Sequence, residues 1–232
     1  RGRAGLGSEC RMSPLGPILA VDTSTRASVV VVGTQAPAAI SRREVKHRHG
    51  SHVLEQIDEV LAAAGLELDD VAGLAVGTGP GSFTGLRVGL ATAKTVAYAR
   101  SLPLVGVMSS DALRVASGLT EAVVVLPAGA HDHYLARAGA DPLLIAPGEL
   151  TEALGGAPAL AVDMGAEALG EEATRRGATA VEGMPSALLA LARSRLAAGD
   201  SDDVAELTPA YVALPRGVKR AAEDLGWSPD LR

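Results

Sequence analysis

The chain has 232 residues, of which 47% are apolar and 21% charged, as in a globular protein with a substantial core. Its formal charge of −6 and aromatic content of 2% do not suit a protein that binds nucleic acid alone. Phosphate contacts need clustered Lys and Arg, and single strands need aromatic stacking surfaces. Cys10 is the only cysteine, which excludes an internal disulfide and a cysteine-ligated zinc cluster.

The ends of the chain carry no sign of export or membrane insertion. No run of about 18 apolar residues is present, and the basic first residues lack the apolar core of a secretory signal. We therefore expect a cytoplasmic protein with no membrane span. A disordered leader is predicted over 1–15, with Met12 as a candidate start, and a loose tail over 216–232.

The first half of the chain opens with a hairpin pattern and then alternates helices and strands. Predicted strands lie at 18–21, 27–33, 38–46, 73–77 and 104–107. Predicted helices lie at 52–64 and 84–99. This order is typical of a mixed sheet with helices packed on it.

The second half begins in the same manner. Predicted strands lie at 122–126, 134–138, 159–162 and 179–182. Predicted helices lie at 149–154, 166–176 and 186–198. Two such halves suggest a duplicated α/β architecture, although the sequence shows no clear repeat. We expect an N-terminal, partner-binding lobe over 16–108 and a C-terminal lobe over 109–215, with helix 186–198 able to pack back on the first lobe.

The loop TGPGSFTG (78–85) joins a predicted strand to a predicted helix. Gly79 and Gly81 permit positive φ and close backbone approach, and the first amides of a helix attract anions. The loop lacks the Gly-Lys-Ser/Thr ending of a Walker A motif and the glycine spacing of a dinucleotide fingerprint. Two interpretations remain open: a nucleotide-contacting loop, and a tight turn without a ligand.

The helix that follows is apolar around most of its circumference. Small residues recur every four positions at Gly85, Gly89, Ala93 and Ala97, and form a slanting strip. The helix is either buried inside its own chain or forms a subunit interface together with helix 52–64. The candidate partner-binding residues on the two helices are Leu54, Ile57, Leu61, Gly85, Leu86, Gly89, Leu90, Ala93, Val96 and Ala97.

Other candidate chemistry is weak. Asp22 and Thr23 follow the first strand at the place of the phosphate loop of actin-like ATPases, but Ser24 replaces the loop's glycine. Asp22, Thr23, Gly79 and Gly81 are thus the candidate nucleotide contacts. The histidines of KHRHGSH (46–52) do not have the i, i+4 spacing of a zinc pair on a helix. We predict no metal site and no catalytic residue.

Several stretches resemble the TsaB family, the dimerization subunits of the bacterial tRNA threonylcarbamoyladenosine machinery. They are ILAVDTSTRASVVVV (18–32), HVLEQIDEVLAAAGL (52–66), and LAVGTGPGSFTGLRVGLATAKTVAYA (74–99) followed by LPLVGV (102–107). The likeness is specific over 18–117 and weaker beyond. It implies a two-lobed actin-like (ribonuclease H-like) α/β fold, with mixed sheets flanked by helices.

The resemblance also implies a function. The chain would be a non-catalytic scaffold that binds a TsaD-like catalytic subunit through a helical bundle of N-terminal lobes. With a TsaE-like ATPase the complex would support N6-threonylcarbamoylation of adenosine 37 in tRNAs that read codons starting with A. The chain would meet tRNA only through the complex, would bind ATP or ADP only there, and would form a homodimer through the same helices when alone.

Two departures from these relatives bear on chemistry. The metal-binding HxxxH of TsaD aligns with Ser109 and Leu113, so the resemblance predicts no such metal site here. In the second lobe Pro127 and His131 replace an aspartate and a glycine of the family pattern. An autonomous actin-fold ATPase or sugar kinase, resting on Asp22 and the glycine loop, stays open as the alternative. A metallopeptidase is the weakest reading, because the histidine pair is missing.

Overall fold

The computed structural model describes residues 15–44 and 52–212, which form two mixed β-sheets and the helices that join and cover them. Nearly all of the predicted leader, together with Cys10, Met12, His47, His49 and the tail 216–232, lies outside the described residues.

The first sheet has five strands in the order β3-β2-β1-β4-β5. They are β1 (Ile18–Asp22), β2 (Ala27–Gly33), β3 (Pro37–Glu44), β4 (Gly73–Gly79) and β5 (Leu104–Met108). β1, β2 and β3 pair antiparallel, whereas β1, β4 and β5 pair parallel. β1, β2 and β4 are buried along their whole length, which explains their continuous apolar runs.

The second sheet has four strands in the order β8-β7-β6-β9. They are β6 (Val123–Ala128), β7 (Asp132–Ala136), β8 (Leu143–Ile145) and β9 (Ala159–Ala161). An antiparallel hairpin followed by a parallel strand repeats the opening of the first sheet. Strand β8 was not predicted, because three residues in a loop-rich stretch give too short a pattern.

Within residues 15–44 and 52–212, five α-helices surround the sheets. They are α1 (His52–Ala64), α2 (Phe83–Arg100), α3 (Ser109–Ser117), α4 (Leu150–Leu154) and α5 (Ala166–Ala197). α1 and α2 pack on one face of the first sheet, around Leu19, Val30 and Val76. α3 and α5 cover its other face and share a core with the second sheet.

The predicted strand at 179–182 is wrong, since these residues lie inside α5. Ala180, Met184 and Ala187 recur at helical spacing and are buried in the core shared by both sheets. The break expected before residue 186 does not occur either, because α5 continues through Pro185. A short apolar run cannot be assigned to strand or helix by its own pattern, and here the helical packing prevails.

After α5 the chain returns to the edge of the first sheet as a C-terminal strap, residues 200–211. Asp202 N donates to Leu104 O at 2.8 Å beside β5, and Ala210 N donates to Thr78 O at 2.8 Å. Tyr211 contacts Phe83 of α2, with ring centroids 5.4 Å apart. The strap thus closes one edge of the first sheet, although the sequence analysis groups it with the second lobe.

Arg195 of α5 fixes the start of the strap. Its guanidinium donates to both oxygens of Asp202 at 3.0 Å and to Gly106 O at 2.8 Å, and it also pairs with Asp200. Burial alone would raise the pKa of Asp202, but hydrogen bonds from Arg195 and Gly106 N outweigh it and lower that pKa. The pKa of Asp200 is lowered by Arg195 as well.

None of the helices within the described ranges combines the length and apolar character that crossing a bilayer demands.

We predict that Arg195→Ala lowers the free energy of unfolding by about 1–2 kcal/mol at neutral pH, since it removes charge-assisted bonds that are partly exposed to solvent. A carboxyl whose folded-state pKa is lowered stabilises the fold above its unfolded pKa and loses that contribution as the pH falls. The difference in free energy of unfolding between Arg195→Ala and wild type should therefore become smaller as the pH falls. Urea denaturation across a pH series measures it.

Arg175→Ala is the matched control, because Arg175 lies on the same helix, is exposed, and pairs only with Glu172 among the described residues. It should change stability by less than about 0.5 kcal/mol. Hydrogen exchange should show faster exchange of the Asp202 and Ala210 amides in Arg195→Ala alone. An equal effect of the two variants would contradict the assigned role of Arg195.

Candidate functional site

Asp22, at the end of β1, is fully buried and enclosed by hydrogen-bond donors. Its carboxylate accepts from Ser24 N at 2.8 Å, from Ser24 Oγ at 2.7 Å and from Ser109 Oγ. A Cβ on Gly77 would lie 1.7 Å from Asp22 Oδ2, so only glycine fits there. Burial raises the pKa of Asp22, and the bonds from Ser109 and Ser24 oppose that rise. The side chain joins β1 to α3 and has no open side.

The turn between β1 and β2 lies directly on the glycine loop. Ser82 N donates to Ser24 O at 2.8 Å, and a Cβ on Gly81 would lie 2.2 Å from that same oxygen. Thr23 Oγ1 donates to Gly85 O at 2.7 Å. A Cβ on Gly89 would lie 2.3 Å from Thr23 Oγ1. The two loops therefore touch backbone to backbone.

These contacts engage the groups that a phosphate would need. Ser24 N donates to Asp22, Ser82 N donates to Ser24 O, and Gly79 N donates to Ser109 Oγ at 3.1 Å. Ser82 caps α2 by accepting from Gly85 N at 3.1 Å. The four candidate nucleotide contacts, Asp22, Thr23, Gly79 and Gly81, lie where the two loops meet. The Asp22 carboxylate, the Thr23 hydroxyl and Gly79 N all have partners within the chain, which favours the tight-turn interpretation.

An open cleft remains between the lobes, above this contact. It is bordered by Arg26 and Ser82 on one side and by Pro127, Gly129 and Asp163 on the other. Asp163 accepts from Arg26 N at 2.6 Å and so joins the lobes across the cleft. Burial raises the pKa of Asp163, against the bond from Arg26 N. Asp163 also has φ +58°, a conformation that few side chains adopt without compensating contacts.

The two positions aligned with the HxxxH motif have structural roles. Ser109 links Asp22 to Gly79, and Leu113 is fully buried in the core. Among the described residues no three His, Cys, Asp or Glu side chains converge as a metal site requires. His52 lies 3.3 Å from Glu55 on α1.

Most of the ten candidate partner-binding residues face the chain's own interior. Ile57, Leu61, Leu86, Leu90, Ala93 and Ala97 belong to the core under α1 and α2 or are buried beside it. Gly85 and Gly89 lie against Thr23. These eight positions are buried within the chain itself and offer almost no surface to a partner in this structure. Leu54, 57% exposed, and Val96, half-buried, remain accessible.

The surface that α2 does present is a stripe of different residues, which we call the outer face. It consists of Thr84, Arg87, Ala91, Thr95 and Tyr98. At 100° per residue these five positions fall on one side, opposite Ala93 and Ala97. Only one of the five is charged. Tyr98 is 85% exposed, although the chain has just five aromatic residues in all.

A groove lies beside the C-terminal half of the outer face, between α2 and the C-terminal strap. It is lined by Lys94, Tyr98 and Ala99 of α2 and by Val204 and Ala205 of the strap, and its lining is mainly apolar. Lys94 Nζ donates to Ala205 O at 3.0 Å and fixes the groove's width. The sequence analysis missed this surface. The available signal was Tyr98, an aromatic side chain that lies outside the strip of small residues on this helix.

Comparison with known proteins places the chain in a family. The family model for TsaD, tRNA N6-adenosine threonylcarbamoyltransferase, matches residues 37–185, more than half of the chain. The tRNA threonylcarbamoyladenosine biosynthesis protein TsaB of Escherichia coli is 33% identical over 142 residues, 59% of this chain and 61% of that protein. The TsaB of Haemophilus influenzae is 38% identical over 100 residues, 43% of this chain and 42% of that protein.

The matched stretch thus spans about half the length of these curated relatives. A crystal structure from Pseudomonas aeruginosa, of an uncharacterized protein with similarity to peptidase YEAZ, superposes with a TM-score of 0.62 at 22% identity. It covers 85% of this chain and 100% of that one. This likeness and the strand order confirm the predicted two-lobed actin-like fold. The chain belongs to the TsaD family, and within it the chain is of the TsaB type.

Proposed function

We propose that this chain is a non-catalytic scaffold that docks a TsaD-type catalytic subunit on the outer face of α2 and so supports threonylcarbamoylation of tRNA. The single observation that carries the proposal is the exposed, almost uncharged stripe on a helix whose opposite side is fully buried in the chain's own core. Buried, uncharged aromatic anchors supply much of the binding energy of protein interfaces, and Tyr98 suits that role.

The family relation supports the choice of partner. The matched region, 37–185, includes both α1 and α2. A TsaD-type subunit therefore has counterparts of these two helices, and two related helix pairs can pack in a near-symmetric arrangement. Leu54 on α1 and Val96 on α2 add accessible apolar surface on the same two helices. The same surface would join two copies of this chain when the partner is absent.

The proposal assigns no catalytic residue. Asp22 is enclosed, Thr23 is engaged by Gly85 O, and Leu113 has no ligand atom at the second histidine position. ATP or ADP would bind only in the complex, where a partner could complete a site. A TsaE-like ATPase would complete the machinery. Modification of adenosine 37 in tRNAs reading A-starting codons, with tRNA held by the other subunits in the cytoplasm, is consistent with the charge of −6.

We predict that Ala91→Arg and Tyr98→Ser each weaken binding to the cognate TsaD-type subunit by about tenfold to a hundredfold, by placing a charge in the interface or removing an aromatic anchor. Titration calorimetry with the purified partner measures the affinity. Both residues are exposed, so the variants should fold normally. A substitution at Gly89 would be uninformative, because a side chain there collides with Thr23.

Leu143→Ser is the control for these variants, since Leu143 is an exposed apolar residue on β8, far from α2 in the fold. It should bind the partner as the wild type does. Wild-type affinity in both Ala91→Arg and Tyr98→Ser would refute docking on the outer face. Sedimentation of the isolated wild type measures whether it forms a homodimer. The same measurement on the three variants tests whether the outer face forms the contact between the two copies.

We also predict that Asp22→Asn leaves partner binding intact and changes the pH dependence of stability. Folding raises the pKa of Asp22, so its carboxyl stabilises the folded state most when it is protonated. This contribution to the free energy of unfolding falls as the pH rises through the folded-state pKa. The variant should therefore gain stability relative to wild type between acidic and neutral pH. Denaturant titrations at several pH values provide the comparison.

If the chain were instead an autonomous ATPase, it would bind Mg-ATP in isolation, whereas the scaffold proposal predicts that the isolated chain does not. Titration of wild type with Mg-ATP should give no saturable heat if the loops at 22–25 and 79–82 remain in contact. Stoichiometric binding that Asp22→Asn abolishes would establish a nucleotide site and overturn the scaffold assignment.

A further inference from the structure

Pro185 lies inside α5 and leaves one backbone carbonyl without its usual partner. Proline has no N–H, so the carbonyl four residues earlier, that of Val181, cannot receive the regular helical hydrogen bond. The backbone angles at Pro185 stay helical; the residue of α5 that departs from helical values is Gly170, with φ 82° and ψ 167°. A donor from elsewhere in the molecule is needed to satisfy Val181 O.

Arg42 of β3 supplies that donor. Its Nη2 donates to Val181 O at 2.5 Å and to Glu182 O at 3.1 Å. The two carbonyls belong to the turn that Pro185 disrupts. A strand residue more than 130 positions away in sequence therefore restores the hydrogen bond that proline removes. No other donor to Val181 O from a side chain is recorded among the described residues.

The turn that Pro185 interrupts is where α5 passes from one lobe to the other. Before it, Gly177 packs so closely on β9 that a Cβ would lie 2.0 Å from Ala161 O. After it, Leu196 contacts Gly73 of β4, and Arg193 donates to Leu15 O and Thr34 O beside the first sheet. The N-terminal part of α5 thus belongs to the second sheet and its C-terminal part to the first.

We propose that Arg42 and Pro185 form an interlobe lock, in which the edge strand of the first sheet binds the turn of α5 that Pro185 interrupts and so fixes the angle between the two lobes. Pro185 leaves Val181 O without a donor from its own helix, and Arg42 ties that carbonyl and the neighbouring Glu182 O to β3. The second lobe is then carried at one angle relative to the outer face of α2.

Other contacts between the lobes limit separation but leave this angle less defined. The shared core is lined largely by Ala, Val and Leu, and its contacts have no preferred direction. Asp163 joins the lobes through one backbone amide, that of Arg26. A guanidinium that binds two successive carbonyls has directional constraints that apolar packing lacks. Many two-lobed proteins close around ligands by hinge motion, and this lock would suppress such motion.

Distance measurement between spin labels tests the lock in the isolated full-length chain. Cys10, the only native cysteine, is replaced by serine, and labels are attached at Asp58→Cys on α1 and Glu152→Cys on α4, both exposed positions in different lobes. Wild type should give one narrow distance distribution. Arg42→Ala should broaden it and speed amide exchange around 183–187. The unfolding midpoint should fall by about 2–4 °C, the equivalent of one lost hydrogen bond in a chain of this size.

The decisive comparison adds Pro185→Ala, which restores an N–H for Val181 O. In that background Arg42→Ala should lower the midpoint by less than half as much, because the carbonyl no longer depends on the guanidinium. Arg43→Ala is the matched control: Arg43 neighbours Arg42 but pairs with Glu55 and Glu59 of α1. It should leave the distribution narrow. The lock would be refuted if Arg42→Ala left the distribution of spin-label distances unchanged. It would also be refuted if Arg42→Ala lowered the unfolding midpoint equally in the wild type and in Pro185→Ala.

Discussion

The arrangement of this molecule depends on one contact, in which the turn after β1 lies at backbone distance from the start of α2. The contact requires the absence of side chains at Gly81, Gly85 and Gly89, since a Cβ at any of them would lie between 2.1 and 2.3 Å from Thr23 or Ser24. It also places Asp22 in a sealed pocket with Ser109. The glycines that suggest a phosphate loop therefore allow the two backbone segments to meet.

The same contact decides which side of α2 is available. Thr23 binds the helix through Gly85 O, so the small-residue strip must face inward and the opposite stripe must face out. The side chains of Tyr98 and Ala91 are then exposed, and within the described part of the chain neither makes a hydrogen bond or ion pair that would explain its placement. An interface on this side requires no change in the chain's own packing, whereas an interface on the strip would require α2 to leave its sheet. This difference in cost is the physical reason for placing the partner on the outer face.

The sequence predicted most of the first lobe, because continuous apolar runs and a long helix give strong periodic signals. Prediction from the sequence failed for short elements and where contacts between residues distant in the chain determine the structure. Residues 179–182 have an apolar pattern that suits either a strand or a helix, and only the packing of Ala180 and Met184 against both sheets resolves the choice. It identified the small strip of α2 correctly but could not say which way the strip faces. The strap depends on Arg195 meeting Asp202 beside β5, a contact with no local pattern.

Charged side chains recur wherever α5 and its continuation meet the first sheet. Arg42 binds carbonyls of α5, Arg193 binds carbonyls at the start of β1 and after β2, and Arg195 binds Gly106 O and the strap. A core built mainly from Ala, Val and Leu supplies cohesion but little direction, since apolar burial is non-directional. Hydrogen bonds from guanidinium groups to backbone carbonyls are directional, and in this chain they join α5 to the first sheet at three places.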